Sequence, residues 1–335
     1  MFYRPNRMNI LSNRFYTSTL SALPKAGKTI WWLLKIILPI SLFVSFLQYW
    51  GIIARIAQIL SPAFSLIGLP GESAVVFITS IFVPLYGPIA IITTLPMDMR
   101  EITILALMCL ISHNLFVETA IQKKTGSSAL IMFFLRLCTS ITGAFILNQI
   151  LPEHIGISHT IQKSIVFENM TGMLHNWIAN AGLLTLKMSL IISGLMVLQS
   201  ILKEFNILDK IAKTFTPLMR LMGLSNDSSF LWFVAQTLGL GYGSAIMIEE
   251  VKSKSITQKS ANLLNYHIAI NHSLLEDTLL FVAIGVPAGW IIAPRFILAI
   301  LVVWSVRGIT KLRYRKQENS LTPIPEQPDY PELKI

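Results

Sequence analysis

Two short stretches hold most of the side chains that could do chemistry. One is His113-Asn114-Leu115-Phe116-Val117-Glu118-Thr119. The other is Asn271-His272-Ser273-Leu274-Leu275-Glu276-Asp277-Thr278. Both interrupt runs that are otherwise apolar. Imidazoles, carboxamides and carboxylates at this density can hold a cation, exchange a proton or hydrogen-bond a polar solute. In hydrocarbon an ionisable side chain at mid-helix costs roughly 2.5–3.5 kcal/mol, so such residues are expected to face protein or a water-filled cavity. On a continuous helix Asn114 and Glu118 would share a face, as would His272 and Glu276. The competing reading is structural, with the polar groups tying helices together by hydrogen bonds. Histidine with carboxylate suits Zn²⁺ or Fe²⁺. However, a five-residue His–acid spacing serves one helix poorly and no HExxH occurs, so no metal is assigned. Neither a GxSxG elbow nor a paired catalytic Asp motif is present, which points away from an enzyme.

The elements that must position these residues are membrane spans. Of 335 residues, 53% are hydrophobic and 13% charged, the composition of a polytopic membrane protein. The net charge of +10 lies in loops and tails, where it signals topology rather than nucleic-acid binding. Six runs are long enough to cross about 30 Å of hydrocarbon: 29–53, 101–121, 127–150, 182–203, 260–281 and 286–308. Two others, Ser73–Leu95 and Ser228–Ile248, break at their midpoints with VPLYGPIA and LGLGYGSA. Each half is then about 15 Å long, half a bilayer, which fits a re-entrant hairpin. Residues 1–28 read as a basic cytoplasmic tail. Residues 152–180 read as an outer connector with helical character, and 310–335 as a disordered cytoplasmic tail. Cys109 and Cys138 read as small buried hydrophobes.

The chain repeats itself. Ile52–Pro70 and Ile207–Ser225 align 155 residues apart, pairing Pro62 with Pro217 and Gly68 with Gly223. The two broken runs keep that offset. Beyond a short insertion near Glu249–Ser255 the offset becomes 159, pairing His113 with His272, Glu118 with Asp277, Gly126 with Gly285 and Arg136 with Arg295. Matches of rare intramembrane residues at one spacing mark an internal duplication. Arg136 and Arg295 are placed to neutralise Glu118 and Asp277 from the next helix.

Charge separates a hairpin from a kinked span. With re-entrant hairpins and the N-terminus inside, only Arg55, Arg100 and Lys163 fall outside; with full spans, seven basic residues do. The positive-inside rule favours re-entrance. Each repeat then has three spans, and the odd number turns the second upside down. The segments 54–68 and 209–223 read as amphipathic helices in the interface plane. The fold expected is therefore an all-α membrane protein of two inverted repeats, 29–151 and 181–309. Each has three spans, an interfacial helix and a re-entrant hairpin.

The order of span, interfacial helix, broken hairpin and polar span, with "SHNLFVETAIQKK", "SPAFSLIGLPGES" and "TPLMRLMGLSNDS", resembles the Gate or nucleoside-recognition family. That family includes the Gate regions of FeoB-type ferrous-iron transporters, the concentrative nucleoside transporters and the sporulation proteins SpmA and SpmB. The resemblance implies a membrane-transport fold without implying one substrate. It carries binding roles onto Tyr86 and Gly87 at the first tip, and onto Gly241, Tyr242 and Gly243 at the second. On the helices it carries them onto Asn114, Glu118, Asn271 and Glu276. The first tip lacks the Gln and acidic residues that grip nucleoside in that family. No GxxxxGK[ST] occurs in these residues, which points away from a FeoB-like pump with its GTPase.

Two functions follow from this reading. One is a transporter moving a small polar solute (nucleoside-like, organic ion or cation) by alternating access, with a possible coupling cation or proton and no other cofactor. The other is a non-transporting, SpmA/SpmB-like protein of envelope or developmental assembly. The expected partners are the lipid bilayer, the solute and either a second copy or a partner membrane protein, without nucleic acid. The expected location is the bacterial inner membrane, with both termini cytoplasmic. A cysteine probe at Lys123 or Lys124 should therefore stay unlabelled by an impermeant reagent in intact cells. Labelling from outside would refute the re-entrant topology.

Overall fold

A computed structural model of the protein describes residues 7–155 and 169–320. The middle of the expected connector and the end of the C-terminal tail lie outside the described residues. The described residues form helices only. The first half holds α1 (Arg7–Tyr49), α2 (Ile52–Ser65), α3 (Ser73–Phe82), α4 (Tyr86–Ile92), α5 (Met99–Ser112), α6 (Leu115–Lys124) and α7 (Ala129–Ile150). The second holds α8 (Met170–Glu204), α9 (Ile207–Thr214), α10 (Thr216–Leu221), α11 (Ser229–Lys252), α12 (Gln258–Ile270), α13 (Leu274–Val282) and α14 (Ala288–Ser320).

Among the described residues six helical stretches are long and apolar enough to cross a membrane: Asn13–Tyr49, Met99–Lys124, Ala129–Ile150, Met170–Glu204, Asn226–Lys252 and Ala288–Arg313. Five coincide with expected spans. The expected span 260–281 is the pair α12 and α13, because the chain leaves helical geometry at Asn271–Ser273, and Met99–Lys124 is likewise the pair α5 and α6, parted at His113–Asn114. Asn226–Lys252 qualifies by length, yet its main helix is interrupted at Gly239 (φ 83°, ψ 168°), a conformation open essentially to glycine alone. A Cβ placed on Gly243 would lie 3.2 Å from the Cα of Ala235. Residues eight apart on a straight helix are separated by about 12 Å, so the two arms of α11 fold back on each other. In the first half Val83, in extended conformation, ends α3, and α4 packs back against it.

Three expected boundaries shift. Helix α1 starts at Arg7, so most of the expected N-terminal tail is helical. Residues 170–180, read as connector, are the first turns of α8, where Asn169 accepts a hydrogen bond from the Gly172 N–H at 2.7 Å. Residues 310–320 continue α14 rather than being disordered, since good helix formers such as Lys311, Leu312 and Arg313 follow the span without a breaker. The second interfacial segment is two helices, α9 and α10, parted at Phe215 just before Pro217.

Helix α5 is apolar all round and buried from Thr103 to Ser112, as befits a helix enclosed by others. Around it pack α3, α7, α12 and α14. The contacts come in matched pairs: α5 with α7 and α12 with α14, α5 with α14 and α12 with α7, α6 with α11 and α13 with α4. On the outside, large apolar side chains such as Leu130, Phe134, Leu190, Ile297 and Leu301 are exposed. With the six long apolar helices, that surface implies contact with a lipid bilayer. Cys109 is buried as expected, but Cys138 lies on the exposed side of α7.

Gly239→Ala should lower stability by about 1–3 kcal/mol because it forces a side chain into that conformation. Gly182→Ala, on the open face of α8 with nothing within 4 Å of an added Cβ, should leave stability unchanged or raise it. Thermal melting of the detergent-solubilised variants measures both.

Candidate functional site

The polar stretches sit where α5 gives way to α6 and α12 to α13. His113 ends α5 in extended conformation, and Asn114 begins α6 in the left-handed region (φ 47°, ψ 37°). Ser273 does the same before α13 (φ 47°, ψ 38°). Asparagine tolerates this conformation better than most residues, and serine less well. The expected shared faces of Asn114 with Glu118 and of His272 with Glu276 therefore do not form, because the helices are not continuous there.

Each break exposes backbone groups, and the fold satisfies them. The Asn114 N–H donates to the carbonyl of Ser80 at 2.7 Å, and the Ser273 N–H to that of Ala235 at 2.9 Å. Arg136 reaches from α7 to donate to the carbonyls of Ile111 at 2.7 Å and His113 at 2.9 Å. Its twin Arg295 reaches from α14 to the carbonyls of Ile270 and His272. Both arginines are fully buried. Their first task is thus to cap broken helices.

Inside this frame four ionisable side chains converge, two from each half. The His113 and His272 rings lie 5.3 Å apart between centroids. His113 Nε2 is 3.1 Å from Glu118 Oε1 and 4.0 Å from Asp277 Oδ2. His272 Nε2 is 3.3 Å from Glu118 Oε2. All four residues are buried. The expected charge pairing holds for one arginine only: Arg136 Nη2 lies 2.7 Å from Glu118 Oε2. Among the described residues no ion pair joins Arg295 to Asp277: the Arg295 hydrogen bonds go to the two carbonyls, its Nη1 has no partner, and the Asp277 oxygen Oδ2 has no hydrogen-bond partner.

The other expected residues divide. Glu276 accepts a hydrogen bond from the Tyr86 hydroxyl at 2.7 Å, so the first tip does meet the second polar segment. Asn271 is buried and neither side-chain polar atom finds a partner, while its carbonyl accepts from Gln236 Nε2. Asn114 contributes its backbone to the site. Gly87 packs against Val83, and Gly243 against Ala235, which lets the hairpin arms approach. Gly241 borders open space, and Tyr242 turns away, its exposed ring under Lys203 Nζ at 4.0 Å. The structure does not bring these two into the cluster, because the break falls at Gly239, ahead of them. Gln236 and the buried hydroxyls of Thr119 and Thr278 were missed as site residues. The 159-residue offset pairing the two threonines was the available signal.

Fold and site together define a helical, polytopic membrane protein with a buried polar centre assembled from two like halves. Residues 30–153 match the family model of the Gate domain, described as nucleoside recognition. The chain is also similar to the uncharacterized membrane protein YvoD of Bacillus subtilis (strain 168), with 28% identity over 290 residues, covering 86% of this chain and 93% of that protein. No solved structure matches it.

Arg136→Met should destabilise the protein by about 3–5 kcal/mol, since it strands the Glu118 carboxylate and two helix-end carbonyls. Arg136→Met combined with Glu118→Leu removes both charges and should recover part of that loss. A double-mutant cycle by melting would show additive losses if the pair did not interact.

Proposed function

We propose that the protein is a membrane transporter of a small polar solute, with the cluster of His113, Glu118, His272 and Asp277 as its binding centre. The observation that carries this reading is the convergence, deep in an apolar protein, of charged and polar groups that the protein itself leaves partly unpaired. Asp277 Oδ2, both polar atoms of Asn271, the Thr119 and Thr278 hydroxyls and one nitrogen each of Arg136 and Arg295 have no partner among the described residues. Buried polar groups are normally satisfied. Intramembrane ionisable groups that face inward mark solute or ion pathways. The set offers both donors and acceptors, which fits a solute bearing both.

In this reading the two halves are inverted repeats, and the hairpins of α3–α4 and of α11 are re-entrant, entering and leaving on one side. Both termini are cytoplasmic, in a bacterial inner membrane. Helix breaks at mid-depth are where secondary transporters place their sites, because only backbone that is buried or lining a cavity can leave helical geometry there. Alternating access would move one half against the other around the shared cluster. Tyr86 and Glu276 bridge the halves at 2.7 Å and would part or tighten as they move. The second reading, a non-transporting assembly protein, draws support from Gly241 and Tyr242, neither of which reaches the cluster.

The clean variant is Asp277→Asn. Asp277 makes no ion pair with an arginine, so the amide should leave melting nearly unchanged while flux per folded molecule falls at least tenfold. Glu118→Gln should lose flux and stability together, because Arg136 loses its counter-charge. Proteoliposomes containing the protein alone, loaded in turn with nucleosides, organic anions and cations, measure flux. Unaltered flux in Asp277→Asn would remove the cluster from the pathway. No flux of any solute by the wild-type protein would favour the assembly role.

A further inference from the structure

The two histidines share a local geometry with a chemical consequence. His113 Nδ1 lies 3.1 Å from the carbonyl of Cys109, and His272 Nδ1 lies 2.7 Å from that of Ile268. A carbonyl oxygen only accepts, so each Nδ1 carries a hydrogen. In the neutral ring each Nε2 is then left with a lone pair, and both Nε2 atoms face the cluster. Metal-binding histidines are commonly held this way, with the far ring nitrogen donating to a carbonyl that fixes tautomer and orientation. Opposite them are two carboxylates, which also only accept. Glu118 Oε2 forms an ion pair with Arg136 at 2.7 Å; Asp277 Oδ2 has no arginine partner. Four acceptors thus converge with one guanidinium among them, and the remainder of the set calls for a cation.

We propose that His113 Nε2, His272 Nε2 and Asp277 Oδ2 bind a single divalent transition-metal ion of the zinc class, with Glu118 beside them. The inference rests on the reading of this cluster as the transporter's binding centre. His113, His272 and Asp277 each offer one ligand atom, and these lie within 4.8 Å of one another. Two ligands each about 2.1 Å from one ion stand at most about 4.2 Å apart, so a small side-chain rotation completes the set. The His113–Asp277 pair, at 4.0 Å, is already within that limit. Two imidazoles with one carboxylate favour Zn²⁺, Fe²⁺ or Co²⁺ over Mg²⁺ and Ca²⁺, which prefer all-oxygen sites. The five-residue spacing that disqualifies His113 and Glu118 on one continuous helix is no obstacle here. The helix breaks at Asn114, and the ligands come from both halves.

Such a site is absent from either half alone: His113 belongs to one, His272 and Asp277 to the other. An ion held there would link the halves that the transport cycle must move, so binding and movement would be coupled through these side chains.

The test uses the full-length protein, purified in detergent and stripped of metal. Equilibrium dialysis with Zn²⁺ should show one ion per chain that excess Mg²⁺ does not displace, and Co²⁺ should give visible absorption bands of a nitrogen–oxygen site. The background variant is His154→Gln with His175→Gln, which removes two exposed imidazoles and should keep the ion. In that background His113→Gln, His272→Gln and Asp277→Asn should each weaken Zn²⁺ binding at least tenfold. No bound ion, or binding unaltered in the variants, overturns the proposal. The wild-type Co²⁺ spectrum decides the question even where a histidine variant fails to fold. Solute flux is measured in parallel in metal-free, chelator-containing vesicles. Flux that persists there while no ion binds sinks the metal site and leaves the transport reading standing. An ion that binds while no solute or metal crosses the bilayer leaves the site standing and sinks transport.

Discussion

A broken helix inside an apolar core is the constraint around which the rest of this structure is arranged. A break frees carbonyl and amide groups, and within a bilayer no water is at hand to bind them. Each unmet group costs kilocalories, so the break survives only if protein supplies partners. Here the supply is specific. A fully buried arginine takes the carbonyls at each break, and the neighbouring hairpin takes the first free amide through Ser80 or Ala235. The hairpins are therefore structurally tied to the breaks. The polar side chains lie at their meeting point.

That dependence explains what could be read from the sequence and what could not. The duplication was legible because rare residues recur at one spacing: His113 with His272, Arg136 with Arg295, Gly68 with Gly223. The glycines of that last pair adopt nearly the same backbone conformation, at φ 72° and 74°. The sites of hairpin reversal were legible from proline and glycine. The helix breaks at Asn114 and Ser273 were not. Neither Asn nor Ser is a strong breaker, and the local sequence around each is a fair helix former. Tertiary contact overrides that preference: arginine reaches in from the next helix to cap carbonyls that a continuous helix would have satisfied by itself. The arginines stand out by their spacing to an acid, but their hydrogen bonds go to backbone carbonyls, which the sequence does not display.

The twins are alike in backbone and unlike in charge pairing, and this difference bears on function. Both arginines cap, yet Arg136 also holds Glu118, whereas Arg295 leaves Asp277 to the cluster. A purely structural duplicate would be expected to repeat its ion pair, since the carbonyl contacts are repeated almost atom for atom. Instead one carboxylate is neutralised and one is left available. A buried carboxylate without an arginine partner is among the costlier features a membrane protein can carry. Its position facing His113 across the junction of the two halves gives it something to bind.

The asymmetry extends to the hairpin tips. Tyr86, at the first reversal, spans to Glu276 in the other half; Tyr242, one turn beyond the second reversal, instead covers Lys203 at the exposed side. The first tip therefore touches the polar centre by a side chain, and the second by the backbone and Gln236 alone. If the halves move against one another, the Tyr86–Glu276 hydrogen bond is a contact that must change, while the capping contacts of Arg136 and Arg295 stay within their own halves and need not. The halves also meet where α1 packs on α8 and where Asn265 donates to Thr125 and Ser127, so movement would have to spare or remake those contacts; the seam where His113 meets Asp277 and Glu118 meets His272 is where the groups able to hold a charged or polar passenger are found.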